Sequence, residues 1–326
     1  MHCLNGIADQ FWDQTVNGLR NGSIYAMIAL GYTLVYGVLQ LINFAHSEVF
    51  MVGTVVTLYA FRNWFGVTGP ESGFFLALLI LGAILPAMLA SGVTAVTLER
   101  VAYRPLRKRG APRLSFLISA IGASLAIQYL FALMDGRHYL LFFKLPDLLG
   151  PDQQPIPEVM KTRALFHLFG TPVSNKDVMI VVVALLMLFF LDRFVRLTRT
   201  GRAIRAVAQD AETASLMGVN IDRVVSTTFF LGGVLAGAAG LLYVMFLGST
   251  SFLIGFEPGI KAFTAAVLGG IGNIRGAMAG GLVLGLVEGY GVACTAAQWQ
   301  IVIVFLVLVG VLMFRPTGIL GERVGG

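Results

Sequence analysis

The chain has 326 residues, 57% of them apolar and only 12% charged, where a soluble domain carries about 25% charged residues. Half that share, together with apolar runs of bilayer-spanning length, excludes a water-soluble globular protein and defines an integral membrane protein. The formal charge of +6 then reports the sidedness of loops before any nucleic-acid partner, and two cysteines, Cys3 and Cys294, point to neither a disulfide framework nor a cysteine metal site.

Backbone groups in hydrocarbon must be satisfied within their own segment, so the spans are helices. Long runs without alternation exclude a β-barrel. The fold class is therefore all-α: a polytopic helical bundle forming one transmembrane domain over residues 1–326. No signal peptide is visible, because Asp9 and Asp13 precede the first basic residue, Arg20.

Nine apolar segments are predicted, at about 18–41, 44–61, 74–97, 114–134, 178–194, 226–247, 259–272, 277–293 and 300–314. The first two are joined by "QLINFAHSEVF", which places Asn43, His46, Ser47 and Glu48 within six positions. Two readings stand: a solvated turn at the membrane surface, or a helix break inside the protein that lines a translocation route. Intramembrane ionisable residues face the bundle interior, since exposing them to lipid costs about 2.5–3.5 kcal/mol or more. Glu48 has His46 and Arg275 as candidate partners.

The connection after the third segment, "ERVAYRPLRKRGAPR", carries six arginine or lysine side chains. The stretch from Arg193 to Arg223 is similarly basic. The positive-inside rule makes both cytoplasmic. Alternating the spans from these anchors puts the N-terminus outside and the C-terminus, with Arg315 and Arg323, inside. The connection at about 135–177 then lies outside; with Pro146, Pro151, Pro155, Pro157 and Pro172 it reads as an irregular external cap.

Within the cytoplasmic region at about 195–225, Thr200 can cap a helix. Ile204, Val207, Ala208, Ala211 and Ala214 then recur at helical spacing, and Gly218 terminates it. An apolar face made mainly of alanine is a weak lipid anchor and suits docking into a protein groove. Further on, "VLGGIGNIRGAMAGG" sets Asn273 and Arg275 between two apolar halves. The segment before it is about 14 residues long, roughly 21 Å, against a bilayer core of about 30 Å. Short, glycine-interrupted segments in both halves of a transporter point to a substrate pathway, and here they raise a degenerate internal repeat. Gly272, Gly276 and Gly280, then Gly281, Gly285 and Gly289, and Gly233 with Gly237, are spaced by four. Each set marks a helix face for close packing. Glu288 reads as a structural hydrogen-bonding group, and Lys261 as a side chain that snorkels outward.

No G-x-x-x-x-G-K-[ST] occurs, and Gly270–Gly272 lies in a membrane segment and is no dinucleotide fingerprint. His46 and Glu48, two apart on a helix, point about 200° from each other, which argues against an intramembrane enzyme. There is no HExxH and no nucleophile elbow.

Six stretches in order resemble the permease subunits of ATP-binding-cassette importers for branched-chain amino acids, of the LivH-like kind. They are "NGLRNGSIYAMIALGYTLVYGVLQLINFAHSEVFMVG" (17–53), "ERVAYRPLR" (99–107), "LISAIGASL" (117–125), "RTGRAIRAVAQDAETASLMGVNIDRV" (199–224), "GIKAFTAAVLGGIGNIRGAMAGGLVLGLVEG" (259–289) and "RPTGILG" (315–321). The resemblance implies a bacterial inner-membrane complex. A periplasmic binding protein delivers the amino acid, a homologous second permease pairs with this chain, and two cytoplasmic ATPase subunits bind ATP and Mg. This chain itself then holds no cofactor or metal, performs no catalysis and binds no nucleic acid. It implies a coupling region around 206–218, where Arg205, Ala206, Asp210, Glu212, Ala214 and Gly218 are the candidate contacts. Relatives of the family also import urea, short amides or other amino acids. A stand-alone secondary transporter or channel is the alternative of a different class. The family usually has glycine after the histidine; this chain has Ser47, whose hydroxyl can bond a nearby carbonyl.

Overall fold

The computed structural model describes residues 2–134, 139–140, 143–144, 149–315 and 317–321. Arg323 and Pro146 lie outside them. Each of the nine apolar segments forms a helix. The helices are α1 (His2–Leu39), α2 (His46–Tyr59), α3 (Gly73–Leu98), α4 (Arg104–Lys108), α5 (Arg113–Ala132), α6 (Asn175–Leu197), α7 (Arg199–Gln209), α8 (Ala211–Leu216), α9 (Ile221–Leu247), α10 (Phe256–Gly269), α11 (Ile274–Cys294) and α12 (Gln300–Phe314). A π turn at Glu99–Tyr103 carries α3 on into α4, and another at Ala60–Trp64 prolongs α2. Among the described residues, seven helical stretches are long and apolar enough to cross a membrane. Helices α2 and α10, with 14 residues each, fall short of that length.

Helices α1 and α9 form the centre. Helix α1 packs along α11, as α9 packs along α3; α2 lies against α3 and α9, as α10 lies against α11 and α1. The triplet α9–α10–α11 thus repeats the arrangement of α1–α2–α3 with the chain direction reversed, because α1 ends and α9 begins at the end of the bundle that carries α7 and α8. Glycines make both seams close. A Cβ on Gly281 or Gly285 would run into backbone atoms of α1 at Ala26 or Gly22, and one on Gly233 or Gly237 into backbone of α3 at Ser91 or Ala87. Gly276 and Gly280 abut α10 at Gly269 and Ala265, and Gly289 abuts Gln14. Gly272 departs from the expected helix face: it lies in the α10–α11 turn with φ +99° and open space around it, because α10 ends at Gly269.

The outer helices α3, α5, α6 and α12 expose Leu85, Leu89, Ile118, Phe190, Leu306 and Val309. Lipid is the only solvent in which such faces are at no cost. At the end opposite α7 lie short strands: β1 (Tyr139–Leu140), β2 (Phe143–Lys144), β3 (Gln154–Pro155), β4 (Ala164–Leu168), β5 (Thr171–Ser174) and β6 (Ser249–Thr250). The expected irregular cap therefore contains a hairpin, β4–β5, and a pairing of β3 with β6 that ties it to the end of α9. Helix α6 starts at Asn175, three residues earlier than its apolar run, because Ser174 and Asp177 form a reciprocal capping box. Cys294 is disulfide-bonded, one bond rather than a framework.

The single helix expected from Thr200 to Gly218 is two. Thr198, not Thr200, caps α7 by accepting from Gly201 N–H at 2.9 Å. Asp210 leaves helical geometry at φ −156° and caps α8, accepting from Thr213 N–H at 3.1 Å and from the Thr213 hydroxyl. These hydrogen bonds hold the Asp210 carboxyl below the usual carboxylate range. Gly218 ends α8 with φ +83°, the left-handed geometry of a C-terminal glycine.

Candidate functional site

Helices α2 and α10 begin against each other. Ser47 packs on Gly255 and Gly259, where any Cβ would meet it. His46 is wedged against Gly31 of α1 and Gly232, near the middle of α9. The start of α2 is therefore buried in the bundle, and the break runs inward from an exposed Gln40 to buried Asn43 and Ala45. Asn43 holds that break. It is 2% exposed, and its Oδ1 accepts from Ala45 N–H at 3.1 Å and the Tyr103 hydroxyl at 2.8 Å. His46 is 1% exposed, edge-on to Tyr32 with ring centroids 4.8 Å apart. Its Nε2 has no hydrogen-bond partner among the described residues.

A cavity of about 610 Å³ opens beside this junction. Ser47 and Glu48 of α2 line it, with Tyr32 of α1, Ser124 and Gln128 of α5 and Glu257 of α10; the remaining wall is apolar, including Ile121, Leu125, Phe256, Ile260 and Phe263. Glu48 is 1% exposed. Its Oε1 accepts from the hydroxyls of Ser124 at 3.1 Å and Ser47 at 3.3 Å, while Oε2 has no partner. It pairs with neither His46 nor Arg275. The Ser47 hydroxyl is shared with the Phe44 carbonyl at 2.9 Å, which closes the turn at the start of α2.

Asn273 and Arg275 are not on this cavity's wall. Asn273 caps α11 through Arg275 and Gly276 N–H, both at 3.0 Å, and donates to the Leu320 carbonyl at 2.8 Å. Arg275 reaches Asp192 of α6 at 3.3 Å. Lys261 does not snorkel outward. It is buried, with Nζ 2.8 Å from Glu288 Oε1 and 2.6 Å from Glu257 Oε1. Glu288 also accepts from Tyr25 at 3.2 Å and from Gln300. Glu288 on the next helix drew the lysine inward, because a buried charge must be paired.

At the α7 end, Glu99 is fully buried and accepts from Arg104, Arg107 and Ser226 at 2.8–3.2 Å. Arg107 also binds Asp222 at 2.5 Å. The cluster bolts the end of α3 to the start of α9. On α7 the apolar stripe faces inward: Ile204 and Val207 are buried, as is Ala214 of α8. What remains outward is a polar surface with Arg205, Ala206, Asp210 and Glu212, next to Leu216 and Met217, 87% and 81% exposed. Arg205 donates back to the Val195 carbonyl. Sequence reasoning passed over Leu216 and Met217; the available signal was a pair of large apolar side chains just before Gly218 in a polar loop. Likewise Glu99, Ser124 and Glu257 carry no local pattern that marks them.

Discontinuous helices meeting at an interior cavity, in a bundle with a lipid-facing exterior, define a polytopic membrane transport protein. The chain belongs to the family of the branched-chain amino acid transport system permease component, whose model matches residues 14–312. It is 40% identical over 315 residues to the high-affinity branched-chain amino acid transport system permease protein BraD of Pseudomonas aeruginosa, covering 96% of each chain. It is 40% identical over 312 residues to the LivH permease protein of Escherichia coli strain K12, again covering 96% of each. A probable LivH of Methanocaldococcus jannaschii is 26% identical over 92% of this chain. No solved structure matches.

Proposed function

We propose that this chain is one permease subunit of an ATP-driven importer that passes branched-chain amino acids from a periplasmic binding protein to the cytoplasm across the bacterial inner membrane. The observation that carries it is the likeness to high-affinity branched-chain permease proteins over 96% of both chains. Two features of the bundle support it. The wide cavity with apolar walls suits an aliphatic side chain. The basic connections around α4 and α7 favour a cytoplasmic α7–α8 end and an external β4–β5 end.

On this reading, a pair of ATPase subunits, carrying ATP and Mg, presses on the outward face of α7 and α8, with Leu216 and Met217 as its apolar anchors. A homologous second permease completes the route past Ser47 and Glu48. The Glu99 cluster passes the stroke from α9 to α3. The test is reconstitution of the chain with its neighbouring permease, ATPases and binding protein. Leucine uptake is expected only with ATP on the cytoplasmic side, and crosslinks from Glu212 or Leu216 are expected to capture an ATPase subunit. Half-membrane helices also occur in stand-alone secondary transporters; uptake by the purified chain without ATP would establish that class instead.

A further inference from the structure

We propose that Glu48 is the group that recognises the ammonium end of the cargo inside the cavity, so that the permease itself selects a primary ammonium on an aliphatic body. The inference rests on the permease reading above. Glu48 is almost fully buried, and among the described residues no cation pairs with it; its contacts are the two serine hydroxyls on Oε1. A buried carboxylate without a countercharge is costly. Here the two hydroxyls hold Oε1, while Oε2 is buried at the cavity wall with no partner among the described residues, an acceptor that a donor reaches once the wall shifts to admit it. The other carboxylate on the wall, Glu257, already has Lys261 at 2.6 Å, so Glu48 is the acceptor in need of a positive charge.

The shape of the rest of the wall selects further. Ile121, Leu125, Phe256, Ile260 and Phe263 offer contact to a branched hydrocarbon. A volume of about 610 Å³ is far larger than urea needs. Ile121, Leu125 and Ile301 at the rim are half-exposed, so the cavity opens between the outer helices α5 and α12. The same chemistry, ammonium on an aliphatic body, also describes an aminophospholipid entering from the side.

The experiment is saturation-transfer NMR on the whole complex in nanodiscs of phosphatidylcholine and phosphatidylglycerol, without binding protein. The probes are leucine, 3-methylbutylamine and 4-methylpentanoate. Leucine and the amine are expected to bind and the acid, which lacks the ammonium, is not. Glu48→Gln is expected to weaken both binders about tenfold or more, the scale of a charge-assisted hydrogen bond, and Ser124→Ala to weaken them less. Unchanged binding in Glu48→Gln, or binding of 4-methylpentanoate as tight as that of the amine, overturns the assignment. So does loss of leucine binding when phosphatidylethanolamine is added to the disc, which would make the lipid the occupant. Intact complex assembly, read by size-exclusion chromatography, establishes that the Glu48→Gln variant is folded. If wild type imports leucine with ATP but binds no probe, this assignment fails and the permease reading stands; if no ATP-driven uptake occurs at all, it is the permease reading that fails.

Discussion

Helices α2 and α10 have the same length, start against one another and each bury a charge near the start, yet the two charges meet opposite fates. Lys261 on α10 is neutralised twice over, by Glu288 and Glu257. Glu48 on α2 receives two hydroxyls and no cation. A charge that its own chain compensates fixes the position of a helix. A charge left uncompensated on a cavity wall is held ready for something the chain does not contain.

The comparison breaks if the two charges respond alike to neutralisation, and the largest effect is expected at Lys261. Lys261→Met strands two carboxylates beside each other and is expected to cost about 3–5 kcal/mol, read as a lowered thermal unfolding midpoint of the purified protein in detergent. Adding Glu288→Leu is expected to recover much of that loss, since a matched apolar pair needs no partner. Recovery failing in the double variant would show that the pair is more than a mutual counterion.

The two helix triplets can be weighed the same way. Gly285→Leu forces a side chain into the backbone of α1, and Gly237→Leu does so at α3. Overpacking of this kind costs about 1–3 kcal/mol. Similar losses at both seams, measured by folded yield and unfolding midpoint, support equivalent triplets; a loss at one seam alone removes the equivalence.

Glu48→Gln sharpens the contrast because little change in stability is expected. The amide keeps an acceptor for the serine hydroxyls and removes an unpaired charge, so the unfolding midpoint should hold or rise by the equivalent of about 1 kcal/mol. A large drop in the midpoint would mean that Glu48 builds the fold as Lys261 does.

The smallest effect belongs to the cytoplasmic end. The Asp210 carboxyl sits below its ordinary value of 3.8 because of the Thr213 hydrogen bonds. A depressed native value means that its cap stabilises α8 fully above about pH 3.8 and loses that contribution as pH falls through the lowered value. Hydrogen exchange of the Thr213 amide should quicken in Asp210→Ala at neutral pH, and in the parent chain only in that acid window.

The sequence by itself determined the solvent, the helices and much of the packing. Apolar run lengths located nine helices, seven of them among the described residues long enough to cross a membrane, because hydrocarbon leaves the backbone no alternative to a helix. The cluster of Asn43, His46, Ser47 and Glu48 was legible as a break, and the four-residue glycine spacing as close helix contact, since both are local patterns. Tertiary structure alone decided what each polar group does. It turned Asn43 and His46 into the frame of the break, brought Ser124 to Glu48 from 76 positions away and drew Lys261 inward to Glu288. It also turned the α7 stripe against the bundle and left Leu216 and Met217 outside. Hydrophobic runs act through the local solvent, whereas the pairing of a buried charge depends on which distant segment arrives beside it.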